Sequence, residues 1–299
     1  MAIVVITGCS SGVGYDSALA FARRGDRVYA CVRNPESAAS LAQKGAEEKL
    51  DIRIKFLDVT ASASFSVFFE AIVAESGRVD LLINNAGILH PGAWEDLSEV
   101  QTRAVMETNF FGPLLLSRAV LPQMRSQESG YIIMISSLSG VAGLAGDVAY
   151  SASKFALEGA TEALRHEVDR YGIRLALVLG GQYATKIFRT SGASQLDGDE
   201  VLPPDYPLDS VYRELVEWKL KQVRDGLPDA TDPAVVAKLL LTIADSDGSQ
   251  LRWVADDLAS RVLATVHGQS DTERDAFLRL AGGAQWWSEG LSAPEVTRS

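Results

Sequence analysis

Cysteine and histidine, two residue types with strong chemistry, are scarce in this chain. The 299 residues include two cysteines, Cys9 and Cys31, and three histidines. The two cysteines do not have the paired spacing of metal ligands and are too few for a disulfide framework. We therefore expect two buried, unpaired thiols, a reducing compartment and no bound metal.

Long apolar runs and an excess of positive charge are also missing. No stretch reaches the roughly 18 apolar residues that span a bilayer, and the short run at 2–6 lacks the basic lead of a signal peptide. Lysine and arginine number 28 against 39 acidic residues, a net charge of −11 that repels a phosphate backbone. The sequence favours a cytoplasmic protein without a membrane span and argues against nucleic acid as a partner.

Short runs rich in valine and isoleucine recur along the chain and alternate with longer helical patterns. Seven runs fit buried strands, at 2–7, 27–33, 52–57, 79–84, 131–136, 173–179 and 251–255. Helical patterns lie between them at 14–24, 62–76, 102–125 and 148–171. This alternation predicts one doubly wound α/β domain, a parallel sheet of about seven strands with helices on both faces.

The regular alternation fails in two places. Residues 191–207 contain glycine, acids and two adjacent prolines, and a helical pattern follows at 208–224. We interpret about 186–225 as a helical lid inserted into a domain that spans 1–256. Residues 257–299 form a C-terminal extension in which we recognise no clear pattern.

A glycine-rich segment, TGCSSGVG at 7–14, lies between the first predicted strand and the first predicted helix. Glycines at this place permit a tight turn and let a pyrophosphate approach backbone N–H groups at the positive end of the helix. The candidate binding residues are Gly8, Ser10, Ser11, Gly12, Val13 and Gly14. The spacing is G-x-x-x-G-x-G, which by itself is weak evidence because ordinary loops are also rich in glycine.

The same segment also satisfies G-x-S-x-G around Ser10, the nucleophile elbow of serine hydrolases. An elbow requires a sheet built before it and an acid and a histidine after it, whereas only one predicted strand precedes Ser10. The candidate bases, His166 and His267, lie in a helical pattern and in the C-terminal extension. The hydrolase is therefore the weaker interpretation.

Tyr150 and Lys154 stand four residues apart near the start of a predicted helix, and Ser137 follows the strand before it. The carboxyl ends of parallel strands open on one crevice, so the three side chains can meet beside a nucleotide held by the glycine-rich segment. An ammonium about 4 Å from a phenol, at an effective dielectric of about 20, lowers the phenol pKa from about 10 towards 7. Tyr150 is the candidate acid/base, and Ser137 the candidate donor to the substrate oxygen. Alone, the Tyr–Lys spacing also fits an ordinary helix pair.

Together, TGCSSGVG at 7–14, NNAG at 84–87, Ser137 and YSASK at 150–154 resemble the short-chain dehydrogenase/reductase family. The glycine-rich segment and YSASKFALEG are most similar to 17β-hydroxysteroid and retinol dehydrogenases. The resemblance covers residues 2 to about 190 and implies a Rossmann fold, a homodimer or homotetramer, and hydride transfer between a nicotinamide cofactor and an alcohol/ketone pair. It implies that Tyr150 is the acid/base, that Lys154 holds the cofactor ribose and tunes Tyr150, that Ser137 orients the substrate, and that Asn109 supports a proton-relay water.

The resemblance extends to the cofactor contacts, with one departure. It implies that Asp58, Val59, Asn85, Ala86, Gly87 and Thr185 contact the cofactor. The family usually has Pro-Gly after the sixth strand, where this chain has Gly180-Gly181, which puts the placement of the nicotinamide in doubt. The second strand ends without the acid that binds a ribose 2′-hydroxyl, and Arg33 is suited to a 2′-phosphate. We predict NADP(H), with NAD(H) as the alternative.

The predicted lid mixes apolar and acidic side chains, which suits a bulky, hydrophobic small-molecule substrate under a movable cover. A steroid-like, retinoid-like or aromatic ketone is the hypothesis. A non-catalytic module that senses NAD(P) would share the same fold and is the alternative. The complete set of Asn109, Ser137, Tyr150 and Lys154 argues against it, because a module without catalysis has no need to keep all four.

Overall fold

The structure, a computed structural model, describes residues 1–183, 187 and 201–294, without the side chain of residue 267. In this part of the chain, seven parallel strands form one sheet in the order β3-β2-β1-β4-β5-β6-β7. They are β1 (Ile3–Thr7), β2 (Arg27–Val32), β3 (Ile52–Phe56), β4 (Leu81–Asn84), β5 (Gly130–Ile135), β6 (Ile173–Leu179) and β7 (Arg252–Val254). The predicted doubly wound α/β fold is confirmed.

The helices lie on both faces of this sheet. They are α1 (Gly12–Arg23), α2 (Ala39–Glu47), α3 (Phe65–Ser76), α4 (Glu99–Met106), α5 (Gly112–Ser126), α6 (Val148–Val168), α7 (Arg213–Gly226), α8 (Pro233–Asp245), α9 (Asp257–Gly268), α10 (Asp271–Ala281) and α11 (Gln285–Ser288). The buried side chains of α1, α2 and α8 pack on one face, and those of α3, α5 and α6 on the other.

The first strand shows how the sheet supplies both cores. Val4 and Ile6 belong to the layer under α1 and α8, whereas Ile3 and Val5 belong to the layer under α3 and α5. Successive side chains of a strand point to opposite faces, so a strand covered on both sides reads as a continuous apolar run. The strand order reverses between β1 and β4, which opens a crevice at the carboxyl ends of these two strands.

The helix predicted at 102–125 is interrupted. Between α4 and α5 the chain forms a π-helical turn at Glu107–Phe111. Pro113 has no N–H to donate to the carbonyl four residues earlier, which is that of Asn109, and this loosens the regular ladder. A Cβ on Gly112 would come 2.6 Å from the carbonyl oxygen of Val59, so only glycine fits this approach. π-Turns occur often at functional sites, and this one carries Asn109.

Two segments that the sequence did not explain pack beside the sheet. In the predicted lid, Tyr206 and Leu202 form a small cluster with Val216 and Leu220 of α7. The extension contributes Val262 of α9 and its neighbours to a second cluster. That cluster includes Leu138 and Ala142, from the loop after β5, so the extension contacts the candidate site.

Cys9 and Cys31 are buried and unpaired, as predicted, and burial raises the pKa of both thiols. Among the helices of the described residues, none combines the length and apolar composition needed to cross a membrane.

Candidate active site

A cavity of about 600 Å³ lies at the carboxyl ends of the strands. Most residues predicted from the sequence line it: Gly8, Ser10, Ser11, Gly12, Val13, Arg33, Asp58, Val59, Asn85, Ala86, Gly87, Ser137, Tyr150 and Lys154. Gly14 and Asn109 are buried behind this lining, and Thr185 lies outside the described residues. The cavity therefore brings the candidate nucleotide loop and the candidate acid/base together.

The glycine-rich segment forms a turn that only glycine fits. Gly8 has a φ of +74°, and a Cβ on Gly14 would come 2.6 Å from the side-chain nitrogen of Asn85. Ser11 begins α1 without a side-chain cap, so the first N–H groups of the helix lack the partner that a cap provides. Those N–H groups and the helix dipole are the features that bind a pyrophosphate, and this end of the cavity fits a dinucleotide.

Thr7 and Asn85 join the loops after β1 and β4. The Thr7 hydroxyl accepts hydrogen bonds from the backbone N–H groups of Asn85 and Ala86, at 2.9 and 3.0 Å. The Asn85 side chain donates to the carbonyl oxygens of Thr7 and Gly8, at 2.8 and 3.2 Å. Asn85 thus holds the glycine-rich turn from below, which gives the NNAG pattern a structural role.

Asn109 holds the continuation of the same loop. Its side-chain oxygen accepts from the N–H of Ile88 at 2.9 Å, and its side-chain nitrogen donates to the Ile88 carbonyl at 2.8 Å. The nitrogen also donates to the Ser153 hydroxyl of α6 at 3.1 Å. Asn109 therefore connects the π-turn, the loop after β4 and the helix that carries Tyr150. Its predicted part in a proton relay stays a prediction.

Ser137, Tyr150 and Lys154 converge at the opposite wall of the cavity. The Tyr150 phenol lies beside the Ser137 hydroxyl, and the Lys154 ammonium lies 5.7 Å from the centre of the Tyr150 ring. Lys154 is buried and donates to the carbonyl oxygen of Ile135 at 2.8 Å. An ammonium has three donors, so two others remain for a ligand in the cavity.

The expectation that Lys154 lowers the pKa of Tyr150 is wrong for the protein's own groups. Burial raises the pKa of Tyr150 to about 12, the hydrogen bond with Ser137 opposes this rise, and the charge of Asp147 adds to it. Burial also lowers the pKa of Lys154 to about 8, against the effect of Glu158. Burial is the largest cause of both shifts, because desolvation disfavours the charged form of each group. The Tyr150 phenol is therefore protonated at neutral pH, the state that an acid needs.

Two ion pairs near this centre were not predicted from the sequence, because the two residues of each pair are distant in the chain. Lys219 of α7 pairs with Asp147 at 3.0 Å and also donates to the carbonyl of Ala145. Arg252 of β7 pairs with the buried Glu158 at 2.8 Å. The first pair connects the lid to the loop before Tyr150, and the second lies one helical turn beyond Lys154.

Hydrophobic side chains that no motif predicted line the substrate end of the cavity. They include Leu89, Leu144, Val223 and Leu258, and the predicted lid residue Ile187 joins them. Leu258 belongs to the C-terminal extension, and Val223 to α7. No sequence signal marks them, because an apolar side chain in a cavity wall resembles one in a core.

Arg33 stands at the other end of the cavity, just after β2. Its side chain is exposed and makes no ion pair with any residue the structure describes. Asn34, next in the chain, accepts a hydrogen bond from the N–H of Glu36 at 3.0 Å. Because β2 and β5 lie on opposite sides of β1 in the sheet, Arg33 lines the end of the cavity away from Ser137 and Tyr150.

The hydrolase interpretation has no support in this geometry. His166 is exposed in the last turn of α6, and it does not line the cavity that Ser10 lines. The side chain of His267 lies outside the described residues.

Comparison with known proteins identifies the class. Residues 2–196 match the family model described as short chain dehydrogenase. The match spans more than half of the chain, so this protein belongs to the short-chain dehydrogenase family. It is accordingly an oxidoreductase of alcohol and carbonyl groups with a nicotinamide cofactor.

Individual relatives and solved structures resemble the chain over most of its length. The chain is 38% identical over 238 residues to a 3-ketodihydrosphingosine reductase of Bacteroides thetaiotaomicron, covering 80% of this chain and 83% of the relative. It is 32% identical to retinol dehydrogenase 8 of Bos taurus, covering 83% and 80%. A crystal structure of a short-chain dehydrogenase from Streptomyces avermitilis superposes with a TM-score of 0.74 at 29% identity, covering 97% of each chain. A metagenomic short-chain oxidoreductase in complex with NADP superposes with a TM-score of 0.66 at 25% identity, covering 85% and 96%.

Proposed function

We propose that this protein reduces a bulky, hydrophobic ketone to a secondary alcohol with NADP(H), and catalyses the reverse reaction when alcohol is in excess. The observation that carries the proposal is the convergence of Ser137, Tyr150 and Lys154 on the cavity that the glycine-rich turn also lines. These residues come from the loop after β5, from α6 and from the turn after β1, and the last of these is distant in the chain from the other two. Family membership supplies the reaction class.

In this mechanism the protein's groups hold and protonate the substrate oxygen. The bound cofactor supplies the hydride. Ser137 donates a hydrogen bond to the carbonyl oxygen, which stabilises the negative charge that develops there. Tyr150, protonated at neutral pH, gives its proton to that oxygen. Lys154 offers its remaining N–H groups to the ribose end of the cofactor.

Arg33 supports the choice of NADP(H). An exposed guanidinium without an ion-pair partner among the described residues is available to form charge-assisted hydrogen bonds with a 2′-phosphate. The NADP complex of the metagenomic relative supports the same choice. Titration with both cofactors tests it: Arg33→Ala should weaken NADP⁺ binding by about tenfold and leave NAD⁺ binding within about twofold. Equal affinity of the unaltered protein for the two cofactors would remove the assignment.

The apolar wall supports a hydrophobic substrate. Two relatives are named for a 3-ketodihydrosphingosine and for a retinol, which are both hydrophobic molecules. We propose a steroid-like, retinoid-like or aromatic ketone, and the first of these relatives makes a long-chain ketone the second candidate. In our proposal, residues 1–256 form the catalytic domain with a lid at about 186–225, and the extension from 257 closes the substrate end through Leu258.

We also propose a homodimer or homotetramer in which α5 and α6 pair between subunits. Phe155 and Val148 of α6 and Phe111, just before α5, are exposed large apolar side chains on these elements. Light scattering after size-exclusion chromatography tests this assembly. Phe155→Glu should dissociate the oligomer, and a protein that is a monomer without any substitution would contradict it.

The decisive experiment follows the oxidation of NADPH and NADH with a panel of steroid, retinoid, long-chain and small polar ketones. Tyr150→Phe should lower kcat by about 10² to 10⁴ and keep the cofactor Kd, because it removes only the proton donor. The matched control is Tyr171→Phe, a tyrosine that is exposed and does not line the cavity. Cofactor binding without turnover of any ketone would favour the NAD(P)-sensing module, and turnover of small polar ketones alone would exclude the hydrophobic substrate.

A further inference from the structure

Tyr183 bends back over the turn that follows β6. A Cβ on Gly180 would lie 1.2 Å from the Tyr183 hydroxyl oxygen and 1.9 Å from the ring carbon that bears it. These distances are far below any possible contact between atoms. The phenol therefore occupies the space of a side chain at position 180, and residue 180 must be glycine for Tyr183 to lie where it does.

The backbone around Gly180 is held on several sides. The N–H of Leu138 donates to the Gly180 carbonyl at 3.0 Å, and the N–H of Gly181 donates to the Asp256 carboxylate at 2.8 Å. The Gln182 side chain donates to the carbonyl of Val223 at 2.6 Å. These contacts fix the backbone of the turn at Gly180, Gly181 and Gln182, so the backbone of Gly180 cannot move away from the phenol without breaking them.

The Tyr183 hydroxyl is buried, and within the described part of the chain no group makes a hydrogen bond with it. Burial raises the pKa of Tyr183, and the nearby Asp256 and Tyr150 add to the rise. A buried hydroxyl without a partner destabilises a protein, so the hydroxyl does not explain why a tyrosine is here. The ring explains it, because it packs against the core layer under α1 and α8 and also lines the cavity.

We propose that Tyr183 is a positioning residue whose ring, seated in the space that Gly180 leaves, forms the wall against which the nicotinamide end of the dinucleotide is held. The proposal rests on the proposed function, which assigns a dinucleotide to this cavity. Tyr183 follows β6 and lies on the side of Ser137 and Tyr150, whereas Arg33 and Asp58 follow β2 and β3 at the opposite end. The nicotinamide end must lie on the Tyr150 side, because the hydride transfers there.

Two substitutions of Tyr183 separate the ring from the hydroxyl. Tyr183→Phe keeps the ring and removes the unpaired hydroxyl, so dinucleotide affinity should stay within about twofold. Tyr183→Val empties the volume of the ring, and dinucleotide affinity should fall by about tenfold. Phenylalanine is thus the conservative variant that should keep the wall intact.

Substitutions of the two adjacent glycines test the dependence on Gly180. Gly180→Ala should displace the phenol and weaken dinucleotide binding by about tenfold. In the double variant with Tyr183→Val, the added methyl group meets no ring, so the two losses should not multiply. Gly181→Ala is the matched control in the same turn, because its Cβ would meet no ring: its nearest neighbours are the end of the Leu258 side chain, at 3.0 Å, and the Asp256 carboxylate, at 3.3 Å.

The experiment measures the Kd of the oxidised dinucleotide and of its adenosine fragment for each variant by calorimetry, with thermal unfolding to verify the fold. The fragment is 2′,5′-ADP for NADP⁺, or ADP if NAD⁺ binds better, and it lacks the nicotinamide. We expect Tyr183→Val and Gly180→Ala to weaken the binding of the dinucleotide and to leave the binding of its adenosine fragment unchanged.

Three results would overturn the inference: equal loss for Tyr183→Phe and Tyr183→Val, equal weakening of dinucleotide and fragment, or the same affinity for Gly180→Ala and Gly181→Ala. If Gly180→Ala does not fold, the two Tyr183 variants still decide. A wild-type protein that binds neither ligand would instead overturn the proposed function, and this inference with it.

Discussion

The nucleotide end and the substrate end of the cavity are built from different parts of the molecule. At the nucleotide end the wall is largely backbone: it is the turn of Gly8 and Gly14, which Asn85 holds in place. This turn is next to the two core layers of the sheet. At the substrate end the wall is made of side chains, from α7 and from the C-terminal extension. These elements rest on small separate clusters of buried residues.

This difference determines what each end tolerates. A backbone wall that approaches a ligand closely excludes added side chains, so its chemistry depends on a few glycines. A wall of apolar side chains tolerates the replacement of one apolar residue by another with only a small loss of stability. Its polar contacts, such as the ion pair of Lys219 with Asp147, determine how closely α7 packs on the loop before Tyr150. Substitutions of the glycines at the nucleotide end should therefore weaken dinucleotide binding strongly, and substitutions at the substrate end should change the selectivity for the ketone.

Gly14→Ala would test this contrast most severely. The new Cβ would overlap the Gly8 carbonyl oxygen and approach the Asn85 side chain, so the turn must open. We expect dinucleotide affinity to fall by about 100-fold. Calorimetric titration with NADP⁺ measures the change, and Gly268→Ala is the control, because nothing lies within 4 Å of its Cβ. Unchanged affinity for Gly14→Ala would show that the glycine-rich turn adapts to an added side chain, and it would contradict the difference between the two ends of the cavity.

The contrast also explains what could be predicted from the sequence. Strands buried on both faces read as apolar runs, so the seven strands were found with their ends misplaced by no more than a few residues. The glycine-rich turn, Ser137, Tyr150 and Lys154 were found because each chemistry needs a residue type at a fixed place along the chain. α2, α8 and the helices of the extension were missed, although α8 has a recognisable start in its N-cap Asp232 and in Pro233.

Other features depend on contacts between distant parts of the chain, which a linear pattern does not contain. The pairs of Lys219 with Asp147 and of Arg252 with Glu158 join residues 72 and 94 positions apart. The pKa of Tyr150 was predicted in the wrong direction for the same reason, because burial, the largest effect, is a property of the folded chain.

Lys219→Met tests the substrate end. It removes the ion pair that docks α7 on the loop before Tyr150, and both side chains of the pair are only 15% exposed. The KM for the ketone should rise by about five- to tenfold, while the Kd of the cofactor stays unchanged. Asp147 would also lose its compensating charge, which raises the pKa of Tyr150 further and favours its protonated form.

Lys221→Met is the matched control for this change. Lys221 lies on the same helix and pairs with Glu217 at 2.7 Å on a more exposed face. Steady-state kinetics with the best ketone measures both variants. A loss of cofactor affinity in Lys219→Met equal to the rise in KM would show that the two ends are not separate.

Glu158→Gln gives the smallest expected effect. It tests whether a buried charge behind Lys154 affects the site. Glu158 is buried one helical turn beyond Lys154, with Arg252 as its ion-pair partner and the Ser136 hydroxyl beside it. Its negative charge raises the pKa of Lys154, which burial has lowered to about 8. Removing the charge must lower that pKa further, so the ammonium is lost at a lower pH.

The consequence should appear in the pH dependence of kcat/KM. The alkaline limb should move to lower pH, with about a two- to threefold loss at pH 8, because Lys154 contributes only as the ammonium. Glu162→Gln is the control, since Glu162 also pairs with Arg252, at 2.7 Å, but is half exposed. If both variants shift the alkaline limb equally, the effect passes through Arg252, and the charge of Glu158 does not determine the pKa of Lys154. If neither shifts it, the charge of Lys154 is decided within the cavity, by the ligand.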